Sequence, residues 1–341
     1  MSSKRVKKQE EQPIQSGDIL SQIRTYLKSE DSYGQPRWFL STGNLALDYI
    51  VSGKVDGTGG WPAGRICEVF GDPSTGKTVL LEKAGASIQS VPNGIFVVAD
   101  TEDRWDEAYA RVHGVDPERM IRYVPETIEE FGLKTLDILD QFGKGNKILF
   151  VLDSLAAINT EKELADLDKG NIILDRGLRA RTIRATALLL PKRLHEHEAI
   201  MLISNHTYEV VGAYVPTKAT GGGRAFPYLS SVRLELTKPQ AIKVEGKERP
   251  IGVEVTAQVT KSSIQPPFGK AQLSMYWMAG IPQSSGLLDI ATDLGVTEKR
   301  GAYYYWDNKP FYAKDFDEFL KAHPEILNHP NWENPYFKEA R

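Results

Sequence analysis

Between residues 65 and 204, short apolar runs alternate with stretches of helical character. Arg65–Phe70, Gly94–Ala99, Lys147–Leu152 and Ala199–Ser204 have the length and β-prone content of strands. Val79–Ala84, Trp105–His113, Ile128–Gln141 and Leu178–Glu196 follow them as helices, with Pro191 marking a kink or an end in the last. This rhythm predicts an α/β protein whose mostly parallel sheet carries helices on both faces. After Gly223 the rhythm changes. Ser231–Leu236, Gly252–Thr260 and Ala271–Trp277 are strands joined by turns with no helix between them, which predicts an antiparallel extension of the sheet. Near the N-terminus Ile19, Leu20, Ile23 and Leu27 recur at helical spacing, and Asp18 can cap a helix running to Lys28. Residues 1–16 are polar and charged, a disordered tail or a basic arm. Near the C-terminus Asp315–His323 has helical character.

Composition narrows this picture only a little. A chain of 341 residues holds one large α/β domain with appendages, or two modest domains. A net charge of −3 neither announces nucleic acid nor excludes it, because a local basic stripe suffices. The single cysteine, Cys67, rules out an intrachain disulfide and a zinc site built on cysteines; it is expected to be a small buried apolar residue. No apolar run approaches membrane-spanning length and no signal-peptide core opens the chain, so a cytoplasmic protein without a membrane partner is expected.

The chemistry concentrates in Gly71-Asp72-Pro73-Ser74-Thr75-Gly76-Lys77-Thr78, followed by Val79, which fits G-x-x-x-x-G-K-[ST] between a strand and a helix. Glycines let the backbone curl so that N–H groups face phosphate oxygens, and the helix N-terminus adds its positive dipole end. Lys77 can reach the β and γ phosphates of ATP, and Thr78 can offer its hydroxyl to Mg²⁺. The strand ending in Asp153 carries a carboxylate to the edge where ligands of such sheets bind, and it would hold Mg²⁺ directly or through water. Glu102, in Asp100-Thr101-Glu102-Asp103, is the candidate base for an attacking water, the alternative being a solvated loop acid. His206 ends another strand at this edge, as a γ-phosphate contact or an ordinary loop histidine. The segment Thr207–Thr220 is long for a connection and mixes Tyr208, Tyr214, aliphatics and Lys218 beside Gly221 and Gly222. Such a mixture can stack on bases and hold phosphates.

In order along the chain, GDPSTGKT, ADTEDRWDEAYARVHGVDPERM, FVLDS, ISNHTYE, the triple glycine before SVRLEL, and GIPQSSGLLDIATDLG resemble the RecA family of recombinases. Within it they are most similar to the phage branch, of which UvsX is the type. The resemblance runs from Trp38 to Gly301. It implies a RecA-like P-loop ATPase core with ATP and Mg²⁺ as cofactors. It makes Glu102 the catalytic glutamate, Asp153 the Walker B aspartate, Tyr109 the residue that stacks on adenine with Asp106 near the base, and His206 the γ-phosphate sensor. Residues 163–177 correspond to DNA loop 1 and 207–222 to DNA loop 2, with Arg176, Arg179 and Arg181 at or just after the first. Bacterial members carry two lysines that reach the neighbouring subunit's ATP; here Lys261 stands at the first position and Ser263 at the second.

These readings make the chain an ATP-dependent, DNA-stimulated ATPase and strand-exchange recombinase that forms helical filaments of itself on single-stranded DNA and pairs it with double-stranded DNA. A single-strand-binding protein and a loader are possible further partners, and a phage-encoded chain would work in the host cytoplasm. The expected organisation is 1–37 as tail and oligomerisation helix, 38–301 as core, and 302–341 as a short C-terminal segment. A hexameric helicase-class motor and a non-catalytic recombination mediator stay open as alternatives.

Overall fold

The computed structural model describes residues 21–22, 25, 34–170, 175–209, 218–244, 246 and 248–333. Contacts divide the chain into residues 1–35 and 36–341. In the first unit Ser21, Gln22 and Thr25 are helical; the rest of the expected Asp18–Lys28 helix lies outside the described residues. Tyr214 also lies outside them, as do the side chains of Arg176 and Lys218.

In the second unit β1 (Phe39–Leu40) and β2 (Trp61–Pro62) form a small antiparallel pair. A nine-stranded sheet follows, built from β3 (Ile66–Gly71), β4 (Gly94–Asp100), β5 (Met120–Tyr123), β6 (Lys147–Asp153), β7 (Ile200–Glu209), β8 (Lys218–Thr220), β9 (Val232–Ile242), β10 (Gly252–Ser262) and β11 (Lys270–Tyr276). Their order is β11-β10-β9-β3-β7-β6-β4-β5, with β8 paired to the end of β7. From β9 to β5 the strands are parallel; β10 and β11 extend the sheet antiparallel, as the helix-free sequence after residue 231 leads one to expect.

Strand alternation splits the apolar side chains between two cores. Cys67, Phe96, Val98, Leu149, Val151 and Leu202 face one core, which the helices Leu45–Ser52, Lys77–Gln89 and Leu287–Asp293 cover. Ile66, Val97, Ala99, Phe150, Leu152 and Ile203 face the other, covered by Ile128–Phe142 and Arg176–Glu196. Cys67 is fully buried, and burial pushes its thiol well up. The long helix continues through Pro191 to Glu196. Ile183, Ala187, Leu190 and Leu194 are buried along one side of it, and that burial offsets the missing proline donor.

Two segments differ from the sequence expectation. Residues 163–177 are not one loop. Glu163 belongs to a helix, Glu161–Asp168, where it forms a capping box with Thr160, and Gly177 already lies in the next helix. At the C-terminal end β12 (Glu298–Arg300), β13 (Tyr303–Trp306) and β14 (Lys309–Phe311) form a three-stranded sheet that spans the expected boundary at 301, followed by a helix at Phe316–Ala322.

Candidate functional site

Because β3, β7, β6 and β4 are neighbours, the residues that end them meet at one sheet edge. Gly71 pairs across to His206, and Asp100 to Asp153. The edge opens into a cleft of about 400 Å³ lined by Ser74 to Val79, Asp100, Glu102, Arg104, Trp105, Tyr109, Asp153, His206 and Trp277.

Gly76 turns the loop into the helix Lys77–Gln89 with φ 84°, and a Cβ there would come within 2.2 Å of Met275 Sδ. Only glycine permits both the left-handed backbone and the close approach. Lys77 Nζ donates to the carbonyls of Gly71 at 3.1 Å and Asp72 at 2.9 Å. Burial holds its amine below the usual lysine range, against the pull of Asp153, Asp72 and Glu102.

Thr78 Oγ1 donates to Asp153 Oδ2 at 2.8 Å, and the Ser204 hydroxyl donates to Asp153 Oδ1. Burial raises the Asp153 carboxyl above its ordinary range, although both hydroxyls oppose the shift. A cation there would relieve that penalty. The described residues contain no group of three or more His, Cys, Asp or Glu able to hold a metal by themselves. The Thr78 hydroxyl and the Asp153 carboxyl fit magnesium, which commonly takes one or two carboxylates together with phosphate oxygens and water.

Glu102 Oε1 accepts from Ser154 Oγ at 2.8 Å and lies 3.3 Å from His206 Nε2; its Oε2 accepts from Arg104 Nη1 at 3.2 Å. Asp72 Oδ1 accepts from Thr207 Oγ1 at 2.5 Å, which ties the phosphate loop to the residue after His206. Asp106 caps the helix Glu107–Val112, accepting from the Tyr109 N–H at 2.8 Å, while Tyr109 itself lines the cleft. Lys261, on β10, does not line its own chain's cleft. Its Nζ donates to the carbonyls of Pro227 at 3.1 Å and Tyr228 at 2.5 Å.

Past His206, β7 runs on to Glu209 and pairs with β8 (Thr207 with Thr220, Tyr208 with Ala219), so a hairpin rises directly after His206. Tyr208 is exposed on it. Beside the hairpin's return lies a hollow of about 610 Å³, lined mainly by apolar surface from Ala180, Leu188, Ala225, Tyr228 and Leu229, together with Arg181, Arg184 and Arg224. Among the described residues, none of these three guanidinium groups makes a hydrogen bond or ion pair. Arg179 differs: it pairs with Glu163 at 2.8 Å and donates to the Ala156 carbonyl at 3.3 Å.

The family model for the RecA N-terminal domain matches residues 31–282. The chain belongs to the RecA family. It is 33% identical over 293 residues to Protein RecA of Acholeplasma laidlawii, covering 85% of this chain and 84% of that one. To Protein RecA of Lactobacillus acidophilus it is 34% identical over 289 residues, covering 84% and 76%.

In this RecA-family chain the structure brings Lys77, Thr78, Tyr109, Glu102, Asp153 and His206 to one cleft, puts Arg181 in the second hollow, and leaves Lys261 away from both. Sequence reasoning passed over several residues of these sites. Ser154 and Ser204 orient the two carboxylates, and each adjoins or nearly adjoins a residue that was singled out. Arg184 follows Arg181 at helical spacing and Arg224 follows the triple glycine, signals that were available. Trp277 gave none, since it comes from the end of the antiparallel extension.

Proposed function

We propose that this chain is an ATP-dependent recombinase that polymerises head to tail on single-stranded DNA and exchanges strands with a duplex, in homologous recombination and DNA repair. The observation that carries this reading is the meeting of Lys77, Thr78, Glu102, Asp153 and His206 at one sheet edge, with a hairpin rising directly from His206.

In this reading the loop Gly71–Thr78 and Lys77 hold the triphosphate of ATP. Thr78 and Asp153 hold magnesium, which neutralises phosphate charge. Tyr109 stacks on the base near Asp106. Glu102, held by Ser154 and Arg104, takes the proton from the attacking water. His206 lies beside Glu102 and senses the γ-phosphate, and through Thr207 and Asp72 the loop and the hairpin respond together.

DNA lies along the hollow of Arg181, Arg184 and Arg224, with Arg176 at the same helix end, and along the segment carrying Tyr208, Tyr214, Lys218, Gly221 and Gly222. Arg179 contributes by fixing the helix start to Glu163. Lys261 reaches a neighbouring subunit's ATP. A head-to-tail contact that does not close yields a helical filament.

We assign the chain to the phage UvsX-like branch on ISNHTYE, GVDPERM and SGLLDIATDLG. Its compartment is then the host cytoplasm, and its further partners are a single-strand-binding protein and a loader. Among the described residues no helix is long and apolar enough to cross a membrane.

Negative-stain electron microscopy of the full chain with single-stranded DNA and ATP tests the reading. Helical filaments that shorten or vanish when ATP is withheld are expected. Closed rings would favour a hexameric motor, and no assembly would favour a mediator.

A further inference from the structure

One polar pair is buried beneath the cleft and takes no part in the chemistry described above. Glu82 and His113 are 1% and 0% exposed, and the His113 Nδ1 and Glu82 Oε2 atoms are hydrogen-bonded to each other. Glu82 stands four residues after Thr78 on the same helix, so it lies one turn behind the hydroxyl that meets Asp153. His113 stands four residues after Tyr109 and ends the helix Glu107–Val112, and its ring meets the Tyr109 ring edge-on with centroids 4.4 Å apart. The pair thus fastens together two helices, each one turn behind a residue that faces the cleft.

A third element closes on the same histidine. A Cβ on Gly280 would stand 2.9 Å from His113 Cδ2, so the turn that follows β11 packs its backbone against the ring. That turn carries Trp277, which lines the same cleft as Tyr109.

Stability alone does not account for this arrangement. Buried ionisable pairs are often no more stabilising than apolar side chains of the same size. Burial raises the Glu82 carboxyl even with His113 as its partner, and His113 Nε2 is buried with no hydrogen-bond partner. What such a pair adds over two leucines is direction. Apolar contacts tolerate sliding, whereas a hydrogen bond between a carboxyl oxygen and a ring nitrogen is directional and fixes spacing and rotation. The helix bearing Tyr109 has only six residues and does not hold itself in place.

We propose that Glu82 and His113 are positioning residues that set the place of Tyr109, and through it of the nucleotide base, relative to the phosphate-binding helix. The proposal rests on the reading of the cleft as an ATP site with the base against Tyr109. It requires the pair to affect recognition of the base and to leave recognition of the polyphosphate alone.

The test is isothermal titration of the full-length chain with ATP and with inorganic tripolyphosphate, each with magnesium. Glu82→Leu/His113→Leu removes both polar groups at once and leaves no lone buried charge. It should weaken ATP about tenfold and change tripolyphosphate by less than about twofold. Combined with Tyr109→Ala it should add no further loss, because pair and ring act as one unit. Glu82→Gln, which keeps an acceptor oxygen for His113, should hold ATP affinity within about threefold of the parent. If the leucine pair does not fold, the same titrations on Glu82→Met/His113→Met decide, since methionine fills irregular space.

Unchanged ATP affinity in the double variant, equal loss of both ligands, or losses that add to that of Tyr109→Ala would overturn the proposal. If Tyr109→Ala alone leaves ATP affinity unchanged, base stacking on Tyr109 fails and the proposal falls with it. If Tyr109→Ala weakens ATP and the pair variants do not, only the role of the pair is lost.

Discussion

Asp100 and Glu102 are two residues apart at the end of β4, and their surroundings give them different work. Asp100 Oδ2 accepts from the Trp105 N–H at 2.8 Å and from Arg122 at 3.1 and 2.8 Å, which joins the end of β4 to β5. Burial by itself would raise the Asp100 carboxyl, but the bonds from Trp105 and Arg122 outweigh it and hold the group below its ordinary 3.8. A carboxyl lowered on folding contributes stability that is present above its unfolded value and is lost as pH falls through its folded value. Asp100→Asn should therefore destabilise the chain by about 2 kcal/mol at neutral pH, a value discounted for the partial exposure of Arg122. The gap should close as pH drops below the ordinary carboxylate range. Urea unfolding of both chains across that range measures it, and a gap independent of pH would contradict an ionised Asp100. The sequence marks Asp100 to Asp103 as a cluster of acids beside a phosphate loop. What separates the structural acid from the candidate base is Arg122, twenty-two residues downstream, together with Ser154, the residue just past the end of β6. Local pattern carries neither partner.

At the scale of elements, most of the parallel strands and their helices are legible because each is written in consecutive residues; the short edge strand β5 (Met120–Tyr123), parallel to β4, and the helix Glu161–Asp168 are not. The four strands anticipated between residues 65 and 204 appear, with ends shifted by a residue or more. The difficulties arose where pairing or burial overrides local preference. β7 extends five residues beyond Ser204 because β8 returns to pair with it across the intervening segment. The helix Arg176–Glu196 runs through Pro191 because its buried side holds it against the sheet. Arg179 lies with Arg176 and Arg181 at or just after the segment that corresponds to DNA loop 1, yet its guanidinium is engaged by Glu163, sixteen residues upstream. This separates two classes of arginine. Replacing Arg181, Arg184 and Arg224 together by alanine should weaken single-stranded DNA binding and flatten its dependence on salt by about two to three counterions, because ionic contacts to phosphate release them. Arg179→Ala should instead lower thermal stability, with a smaller change in salt slope. Fluorescence anisotropy with a labelled oligonucleotide over a range of salt reads both, and an unchanged slope in the triple variant would move the DNA path elsewhere.

For the whole molecule, the proposed recombinase completes its ATPase site only between subunits, because one chain alone does not bring Lys261 to its cleft. The cleft gathers Lys77, Thr78, Glu102, Asp153 and His206, while Lys261 sits apart on β10 against the carbonyls of Pro227 and Tyr228. Burial and the neighbouring Arg233 lower its amine, with buried Glu68 opposing, so this cation is partly desolvated before any phosphate reaches it. A filament contact that brought a second chain's nucleotide to Lys261 would add charge stabilisation only after assembly, and DNA would then stimulate hydrolysis by promoting that contact. By linkage, ATP and DNA would raise each other's affinity by the same factor. The most direct measurement is the ATPase rate on single-stranded DNA of mixtures of Lys77→Ala and Lys261→Ala chains, taken against mixing ratio. Each variant alone should be nearly inactive. Mixtures should regain activity with a maximum at intermediate ratio, because some interfaces then take Lys77 from one chain and Lys261 from the other. Rates that stay at the level of the separate variants at every ratio, in mixtures that still form joint filaments, would contradict a site shared between subunits.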